Sequence, residues 1–203
     1  MSQKFERRAM SVKELRVSES EGNLPVIEGY ASVFDSWSDE LGGHSPFREK
    51  VVKGAFTETI EKDDIRALFN HSPDYVLGRN TAGTLELAED EKGLKVLIKP
   101  PDTQWAKDLL VSVKRGDISQ MSFGFACELD RWNYEDKTDV RELLKVKLFD
   151  VSLVTYPAYP QTEVDVRSIH QAHQSQVAEE QAKHEKEKAD KAAKLDALKK
   201  AFE

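Results

Sequence analysis

Alternation between apolar and polar residues marks several segments of the chain as strands. Residues 26–34 are rich in β-branched and aromatic side chains and follow a Gly-Asn-Leu-Pro turn signal, which is typical of a strand. Residues 83–88 and 93–99 both alternate and flank a short acidic turn, which predicts a β-hairpin. Residues 118–129 and 142–155 predict two more strands, separated by a polar turn region. These patterns together favour mostly antiparallel β structure.

Helical periodicity appears in two places. Apolar residues recur at three- and four-residue spacing between Thr103 and Gly116, after a Pro-Pro-Asp-Thr start signal, which predicts an amphipathic helix. A shorter pattern of the same kind over residues 52–62 predicts a surface helix. Between the first strand and this helix, residues 35–48 concentrate Ser, Asp, Gly and Pro. They predict a long loop, which in a compact domain is either mobile or functional.

The composition changes after about Ser168. Gln, Ala, Glu and Lys dominate there, without Gly or Pro, which predicts a charged helical tail over residues 169–203. A solvated spacer is favoured over a partner-docking helix, because the aliphatic anchors are too few for a coiled-coil seam. The remaining chain divides into an N-terminal arm and first strand region over residues 1–24 and one central domain over residues 25–168.

The length and net charge of the chain limit the classes of protein to which it can belong. The 203 residues suffice for one domain with a hydrophobic core plus a tail. A net charge of -7 argues against a general nucleic-acid binder, which needs a basic face. No apolar stretch is long enough for a membrane span, and the N-terminus lacks the apolar region of a signal peptide. We therefore expect no nucleic-acid partner, no membrane association and a cytoplasmic location.

The cysteine and histidine content predicts neither a disulfide framework nor a metal site. Cys127 is the single cysteine of the sequence, which excludes an internal disulfide and a cysteine-rich zinc site. The five histidines form no HExxH pair, and His170 and His173 lie in a polar stretch without an adjacent carboxylate or thiol. No metal and no other cofactor is expected.

One predicted strand carries a candidate nucleophile. Side chains alternate along a strand, so residues 121–127 place bulky groups on one face and Ser122, Gly124 and Ala126 on the other. Small neighbours would leave room for a polypeptide carbonyl to approach the Ser122 hydroxyl, although a serine in a strand often only faces solvent or backbone. Cys127 falls on the bulky face, where a cysteine usually behaves as a small apolar group.

Two other residues complete a possible set. Asp150 shares a strand face with Ser152 inside an apolar run, so it needs a partner if it is buried. A structural ion pair is the plain explanation, with Arg66, Arg79 or Arg131 as the candidate partners. His71 ends an apolar strand at a Ser-Pro-Asp signal and is a candidate general base for a serine. Because such triads are recognised by geometry and occur in any chain order, these residues alone leave the structural and catalytic interpretations open.

Several motifs in order resemble one family. They are Gly29-Tyr30-Ala31, Leu68-Phe69-Asn70-His71, Leu77-Gly78-Arg79, the Met-Ser-Phe-Gly-Phe run from Met121 to Phe125, and the Ser-Leu-Val-Thr-Tyr-Pro-Ala-Tyr run from Ser152 to Tyr159. Over about two thirds of the chain this pattern resembles the prohead proteases of tailed phages. The resemblance implies an α+β, mainly β fold: a mostly antiparallel β-barrel of the herpesvirus-protease type, wrapped by helices, with the charged C-terminal helical tail added.

The resemblance also implies a function and roles. It implies a serine endopeptidase with Ser122 as nucleophile, His71 as base and Asp150, with less direct support, as the third member. Oxyanion donors are placed only loosely, in the turn at residues 157–161. The implied substrates are the scaffold and the major capsid protein, with self-cleavage and self-association as further options, inside the assembling prohead in the host cytoplasm. The alternatives are a non-enzymatic capsid scaffold or assembly protein that keeps the protease fold, and an esterase using the same residues.

Overall fold

Ten strands and two α-helices make up the described part of the chain before residue 155. Residues 5–10, 15–18, 25–42, 46–135, 137–156, 170–179, 181–186 and 188 are described by a computed structural model. Within these residues the order is β1 (Phe5–Met10), β2 (Arg16–Ser18), β3 (Val26–Val33), β4 (Phe47–Val51), α1 (Thr57–Lys62), β5 (Arg66–Phe69), β6 (Ser72–Arg79), a 3-10 turn (Asn80–Ala82), β7 (Leu85–Glu89), β8 (Gly93–Ile98), α2 (Gln104–Arg115), β9 (Gln120–Glu135) and β10 (Thr138–Val154).

The strands form two sheets. The larger sheet has six strands in the order β1-β9-β10-β5-β6, and β4 pairs with another part of the long strand β10. The smaller sheet has the order β2-β3-β8-β7. Neighbours are antiparallel except that β4 and β5 run parallel to β10. The described fold is therefore mostly β with a few helices, as expected for the α+β class, and its sheet is a curled half-barrel.

One hydrophobic cluster joins both sheets to α2. Alternate residues of the central strands and one face of α2 are buried in it, and burial of such side chains is the main driving force for the fold. The cluster includes Ile27, Val96, Ile98, Leu109, Leu110, Val113, Phe123, Phe125, Leu148, Val151 and Leu153. The apolar face of β9 packs in this cluster, so the strand that carries Ser122 lies on a rigid, close-packed layer.

The strongest sequence patterns are confirmed. Helix α2 ends at Gly116, whose φ of 83° is the left-handed conformation of a helix C-terminus. The hairpin of β7 and β8 and the strands β3, β9 and β10 lie where alternation predicted them. The predicted polar turn between the last two strands is shorter than expected, because β9 and β10 extend as a paired ribbon until Glu135 lies opposite Thr138.

The segment predicted as a loop and surface helix differs most from expectation. Residues 35–42 are irregular, but Phe47–Val51 form β4, which pairs in parallel with β10. The helix begins only at Thr57. The backbone of Val52 and Ala55 before it pairs with β10, and Phe56 is fully buried. These residues pack against the sheet instead of forming the predicted helix's first turns.

Strand β1 carries charges on its inward side. Glu6 and Arg8 are buried and join Glu49 of β4 and Arg141 of β10 in an ion cluster with N–O distances of 2.7–2.9 Å. Asp130 of β9 also pairs with Arg141, at 2.6 Å, so both guanidinium groups are surrounded by carboxylates. Burial alone would raise the pKa of Glu49, but attraction to Arg8 and Arg141 outweighs it and lowers that pKa. The cluster fastens the N-terminal strand to the sheet.

The described part of the C-terminal segment begins on the β domain. Residues 170–179 and 181–186 are helical, and His170 is buried with its Nε2 2.6 Å from Asp139 Oδ2. His173 stacks on Trp132 with ring centroids 4.4 Å apart. The expectation that His170 lacks a carboxylate partner is therefore wrong, because the fold brings Asp139 to it from a distant part of the chain. No helix within the described ranges has the length and apolarity to cross a membrane.

Candidate active site

His71 is the second residue of a two-residue hairpin loop. Phe69 and Ser72 are paired across β5 and β6, which leaves Asn70 and His71 as the loop, with φ of 52° and 55°. Positive φ at both central residues is the requirement of a type I′ hairpin, whose twist matches that of the strands. Asn and His adopt this conformation more readily than most residues. The tight turn gives the imidazole a defined position at the end of β5, as the sequence predicted.

Asn70 ties this loop to the end of β10. Its backbone N–H donates to the Leu153 carbonyl at 2.8 Å. Its side-chain oxygen accepts from the Thr155 N–H at 2.9 Å, and its side-chain NH₂ donates to Thr155 Oγ1 at 3.1 Å. Three hydrogen bonds to one strand end fix the loop relative to β10, so the position of His71 follows that of the sheet.

Ser122 and Asp150 lie on the adjacent strands β9 and β10. In the register of these strands Ser122 is opposite Ser152, and Gly124 is opposite Asp150 after a register shift at Leu148. Residues two apart on a strand share a face, and directly opposite residues face the same way. The serine and the carboxylate therefore emerge on one face of the sheet, beside the His71 loop.

The three side chains form one hydrogen-bonded chain. His71 Nδ1 lies 2.7 Å from Asp150 Oδ1, and His71 Nε2 lies 2.8 Å from Ser122 Oγ. A carboxylate only accepts, so the imidazole N–H is placed on Nδ1 and the lone pair of Nε2 faces the hydroxyl. Such an arrangement can move a proton from the serine to the imidazole and hold the resulting cation against the carboxylate.

The site is closed by β1. Ser122 is 3% exposed, and Ala9 of β1 lies opposite it. The Ser122 hydroxyl also has a second acceptor, the Arg8 carbonyl, at 2.9 Å. One hydroxyl hydrogen serves either that carbonyl or His71 Nε2 at any moment. Access of any substrate to Ser122 Oγ in this arrangement is limited by the N-terminal strand.

The partners predicted for Asp150 were wrong. Arg66 and Arg79 both bind Asp64, and Arg131 binds Glu142. The side chains of these three arginines are exposed at the surface. Asp150, in contrast, is 6% exposed and faces the hairpin loop. The carboxylate is satisfied by an imidazole and a hydroxyl, not by a guanidinium.

The small face of β9 also has a different use from the predicted one. A Cβ built on Gly124 would lie 2.3 Å from Asp150 Oδ2 and 2.8 Å from the ring of Phe5. The space beside Ser122 is thus occupied by the carboxylate of β10 and by a side chain of β1. It is not an open channel for a polypeptide.

The other predicted candidates stand apart from this site. Cys127 is partly buried, and burial raises the pKa of its thiol to about 12, which leaves almost no thiolate near neutral pH. The turn at residues 157–161, where oxyanion donors were expected, lies outside the described residues. Among the residues that the structure describes, no group of three or more His, Cys, Asp or Glu side chains is arranged to hold a metal ion.

Four residues support the three side chains through contacts that the sequence patterns did not predict. Ser152 Oγ donates to Asp150 Oδ1 at 2.6 Å, Gly124 makes room for that carboxylate, Asn70 anchors the loop, and the Arg8 carbonyl binds Ser122. A signal was present for one of them, because Asn is favoured in type I′ loops. Ser152 and Asp150 share a face of β10, as the alternation predicted, but the hydrogen bond between them was not predicted. The contacts of Gly124 and Arg8 depend on how β9 pairs with β10 and with β1.

The sequence matches a protein-family model. The model described as caudovirus prohead serine protease matches residues 12–176. Comparison with curated proteins and with solved structures gave no match. The matched range contains β2 to β10 and all three side chains of the hydrogen-bonded chain, and it starts after β1. By this match over most of its length, the chain belongs to the caudovirus prohead serine protease family.

Proposed function

We propose that this protein is a serine endopeptidase that cleaves scaffold or capsid precursor proteins, and also its own chain, during prohead maturation. Family membership supports a protease role in phage capsid maturation. The observation that carries the residue roles is the unbroken chain from Ser122 through His71 to Asp150, with contacts of 2.8 and 2.7 Å. The family match concerns the overall sequence pattern, and the hydrogen-bonded chain concerns the placement of these three side chains.

In the proposed reaction Ser122 Oγ attacks the scissile carbonyl carbon. His71 Nε2 takes the hydroxyl proton as the new C–O bond forms, and later gives it to the leaving amine when the C–N bond breaks. Asp150 holds the Nδ1–H and stabilises the imidazolium. A water molecule then attacks the acyl carbon and gives a proton to His71 Nε2. The imidazole passes this proton to Ser122 Oγ as the ester bond breaks, which releases the acid product and restores the Ser122 hydroxyl.

The substrate must first displace part of β1. An attacking hydroxyl has to give its proton to His71, so the competing bond to the Arg8 carbonyl at 2.9 Å must break. A polypeptide also has to reach a side chain that is 3% exposed. The described arrangement is therefore proposed to be a closed form, and an extended substrate segment would take the place of β1 beside β9.

The second candidate is a non-enzymatic capsid scaffold or assembly protein with the protease fold. The burial of Ser122 beneath β1 is the observation that favours it. The hydrogen-bonded order of Asp150, His71 and Ser122 favours the protease, because a purely structural role requires neither the carboxylate–imidazole contact nor the alignment of Nε2 with a hydroxyl.

Purified protein should be incubated separately with the major capsid protein and with the scaffold of the same phage, and the products mapped by mass spectrometry. The proposal predicts defined internal cleavages in at least one of them and in the protein itself. A matched reaction with a small chromogenic ester distinguishes a protease from an esterase that uses the same three residues. Ester hydrolysis without any cleaved polypeptide, or no reaction in assembled shells, would contradict the proposal.

A further inference from the structure

Ser152 makes a contact that the proposed reaction does not yet use. Its side chain is fully buried, and its hydroxyl donates to Asp150 Oδ1 at 2.6 Å. The same oxygen accepts from His71 Nδ1 at 2.7 Å. Most side-chain hydroxyls inside proteins bond to backbone or water. Here the buried hydroxyl is directed at the oxygen that holds the imidazole.

We infer that Ser152 is a positioning residue that fixes the Asp150 carboxylate for His71. This inference rests on the proposed function, since it gives Ser152 a role in that same site. Ser152 does not touch the reacting atoms, so it acts only through Asp150. Ser152 would be the fourth residue of the hydrogen-bonded chain. It also lies directly opposite Ser122 in the pairing of β9 and β10.

Two features define the position of the Asp150 carboxylate. Oδ1 receives the Ser152 hydroxyl, and Oδ2 lies in the space that a side chain at Gly124 would fill, 2.3 Å from the built Cβ. The last torsion of an aspartate is otherwise broad. A short hydrogen bond to an ionised oxygen is stronger than a neutral one and has a defined direction. The Ser152 hydrogen bond at Oδ1, with the space that Gly124 leaves for Oδ2, favours the carboxylate orientation in which Oδ1 points at the imidazole.

The orientation of Oδ1 controls the proton acceptor at the other end of the ring. When Oδ1 holds Nδ1–H, the lone pair of Nε2 faces Ser122 Oγ at 2.8 Å. If the carboxylate turns, the imidazole loses its fixed tautomer and angle. Loss of the Ser152 hydroxyl should then reduce the rate of the chemical step more than it reduces substrate binding.

The test compares S152A with S32A in peptide hydrolysis. Ser32 is an equally buried strand serine whose hydroxyl donates to the backbone carbonyl of Val33 at 3.4 Å, so S32A controls for removing a buried hydroxyl. We expect S152A to lower kcat about 10-fold with little change in KM, since the lost bond involves a charged group, and S32A to match the wild type. In the D150N background, the further change S152A should alter kcat less than about 2-fold. Equal losses in both backgrounds would overturn the inference.

A second readout does not need activity. The His71 Nδ1–H proton, assigned by its loss in H71Q, should give a far-downfield NMR resonance that moves or broadens in S152A and not in S32A. S152T keeps the hydroxyl and should retain both the resonance and most of kcat. Identical behaviour of S152A and S152T, or an unchanged resonance in S152A, would overturn the role of Ser152. Absence of cleavage by the wild type would instead contradict the proposed function, and the resonance would still decide the inference.

Discussion

Gly124 lies directly opposite Asp150 on β9 and β10, and the missing side chain of the glycine is the space that the carboxylate occupies. A Cβ at position 124 would be 2.3 Å from Asp150 Oδ2. Two such atoms cannot approach that closely, so any other residue at this position must push the carboxylate aside. The glycine is needed for space, not for backbone freedom.

The variant G124A should therefore fold but lose most of its activity. Displacing the carboxylate by about 1 Å misaligns His71, and a shift of that size can reduce a rate by about 100-fold. G29A is the matched control, because the Cβ added to that strand glycine meets side-chain atoms no closer than 3.3 Å. Peptide hydrolysis by both variants checks the expectation. Full activity in G124A would remove Asp150 from the mechanism.

The closed form predicts a gain of reactivity when β1 is removed. Deleting residues 1–10 removes the Arg8 carbonyl from Ser122 and uncovers the hydroxyl. The deletion also removes Glu6 and Arg8 together, one acid and one base, and Arg141 keeps its ion pairs with Glu49 at 2.8 Å and with Asp130 at 2.6 Å. We expect Ser122 to be labelled several-fold faster by a fluorophosphonate, measured by mass spectrometry.

The deletion experiment has two controls. Circular dichroism confirms that the shortened protein is folded, and the same deletion combined with S122A must take up no label. A folded, shortened protein that is labelled no faster than the full chain would show that β1 does not limit access to Ser122.

The ion cluster predicts how stability depends on pH. The folded-state pKa of Glu49 is below its ordinary value of 4.5, so the unfolded state binds the proton more readily. This contribution to stability is present above about pH 4.5 and is lost as the pH falls through the folded-state pKa. The free energy of unfolding, measured with urea between pH 7 and pH 3, should therefore fall as the solution becomes more acidic.

The variant E49Q identifies the responsible group. At pH 7 it leaves buried guanidinium groups short of a partner, which should cost about 3–5 kcal/mol. Its free energy of unfolding should also decline less than that of the wild type between pH 5 and pH 3. E61Q, at an exposed position of α1, serves as control and should follow the wild type. An E49Q curve parallel to that of the wild type would contradict the role of Glu49.

Cys127 should be inert in the folded protein. Burial raises the pKa of its thiol to about 12, so alkylation by iodoacetamide at pH 8 should be at least about 100-fold slower than in urea, where an unperturbed thiol titrates near 8.5. C127A should keep full activity. Rapid alkylation of the folded chain with parallel loss of activity would favour a cysteine mechanism instead.

The sequence predicted the elements whose pattern has a simple cause. Helix α2 has a regular apolar stripe and a C-terminal glycine, and β9 has bulky residues on its core face. For residues 1–24 an arm with a first strand region was predicted without bounds for the strand, and β4 was missed. Charges occupy inward positions in both strands, Glu6 and Arg8 in β1 and Glu49 in β4. Alternation of apolar and polar residues does not reveal a strand in which charged residues occupy buried positions.

The edge strand β6 was missed for another reason. It contains Pro73 next to its first residue and four consecutive exposed residues, a pattern more typical of a loop. Proline is tolerated there because an edge strand has unpaired N–H positions. Pairing with β5 and the His71 loop, which the local sequence does not encode, makes this segment a strand.

The candidate site was predicted in part. His71, Ser122 and Asp150 were selected by residue type and by resemblance. The structure places the His71 ring 2.7 Å from Asp150 Oδ1 and 2.8 Å from Ser122 Oγ. The supporting contacts of Gly124 and Arg8 depend on the register of β9 with β10 and with β1, including a register shift at Leu148. Register is a property of paired strands, so a single strand's sequence could not supply it.

The most direct test of the central claim compares the wild type with S122A, each co-expressed with the major capsid protein of the same phage and analysed by intact-mass spectrometry. S122A retains the fold and removes only the proposed nucleophile, which should reduce cleavage by several orders of magnitude. The account predicts truncated capsid protein or truncated protease with the wild type alone. Cleavage at the same positions by S122A, or intact chains in both samples despite assembled shells, would contradict it.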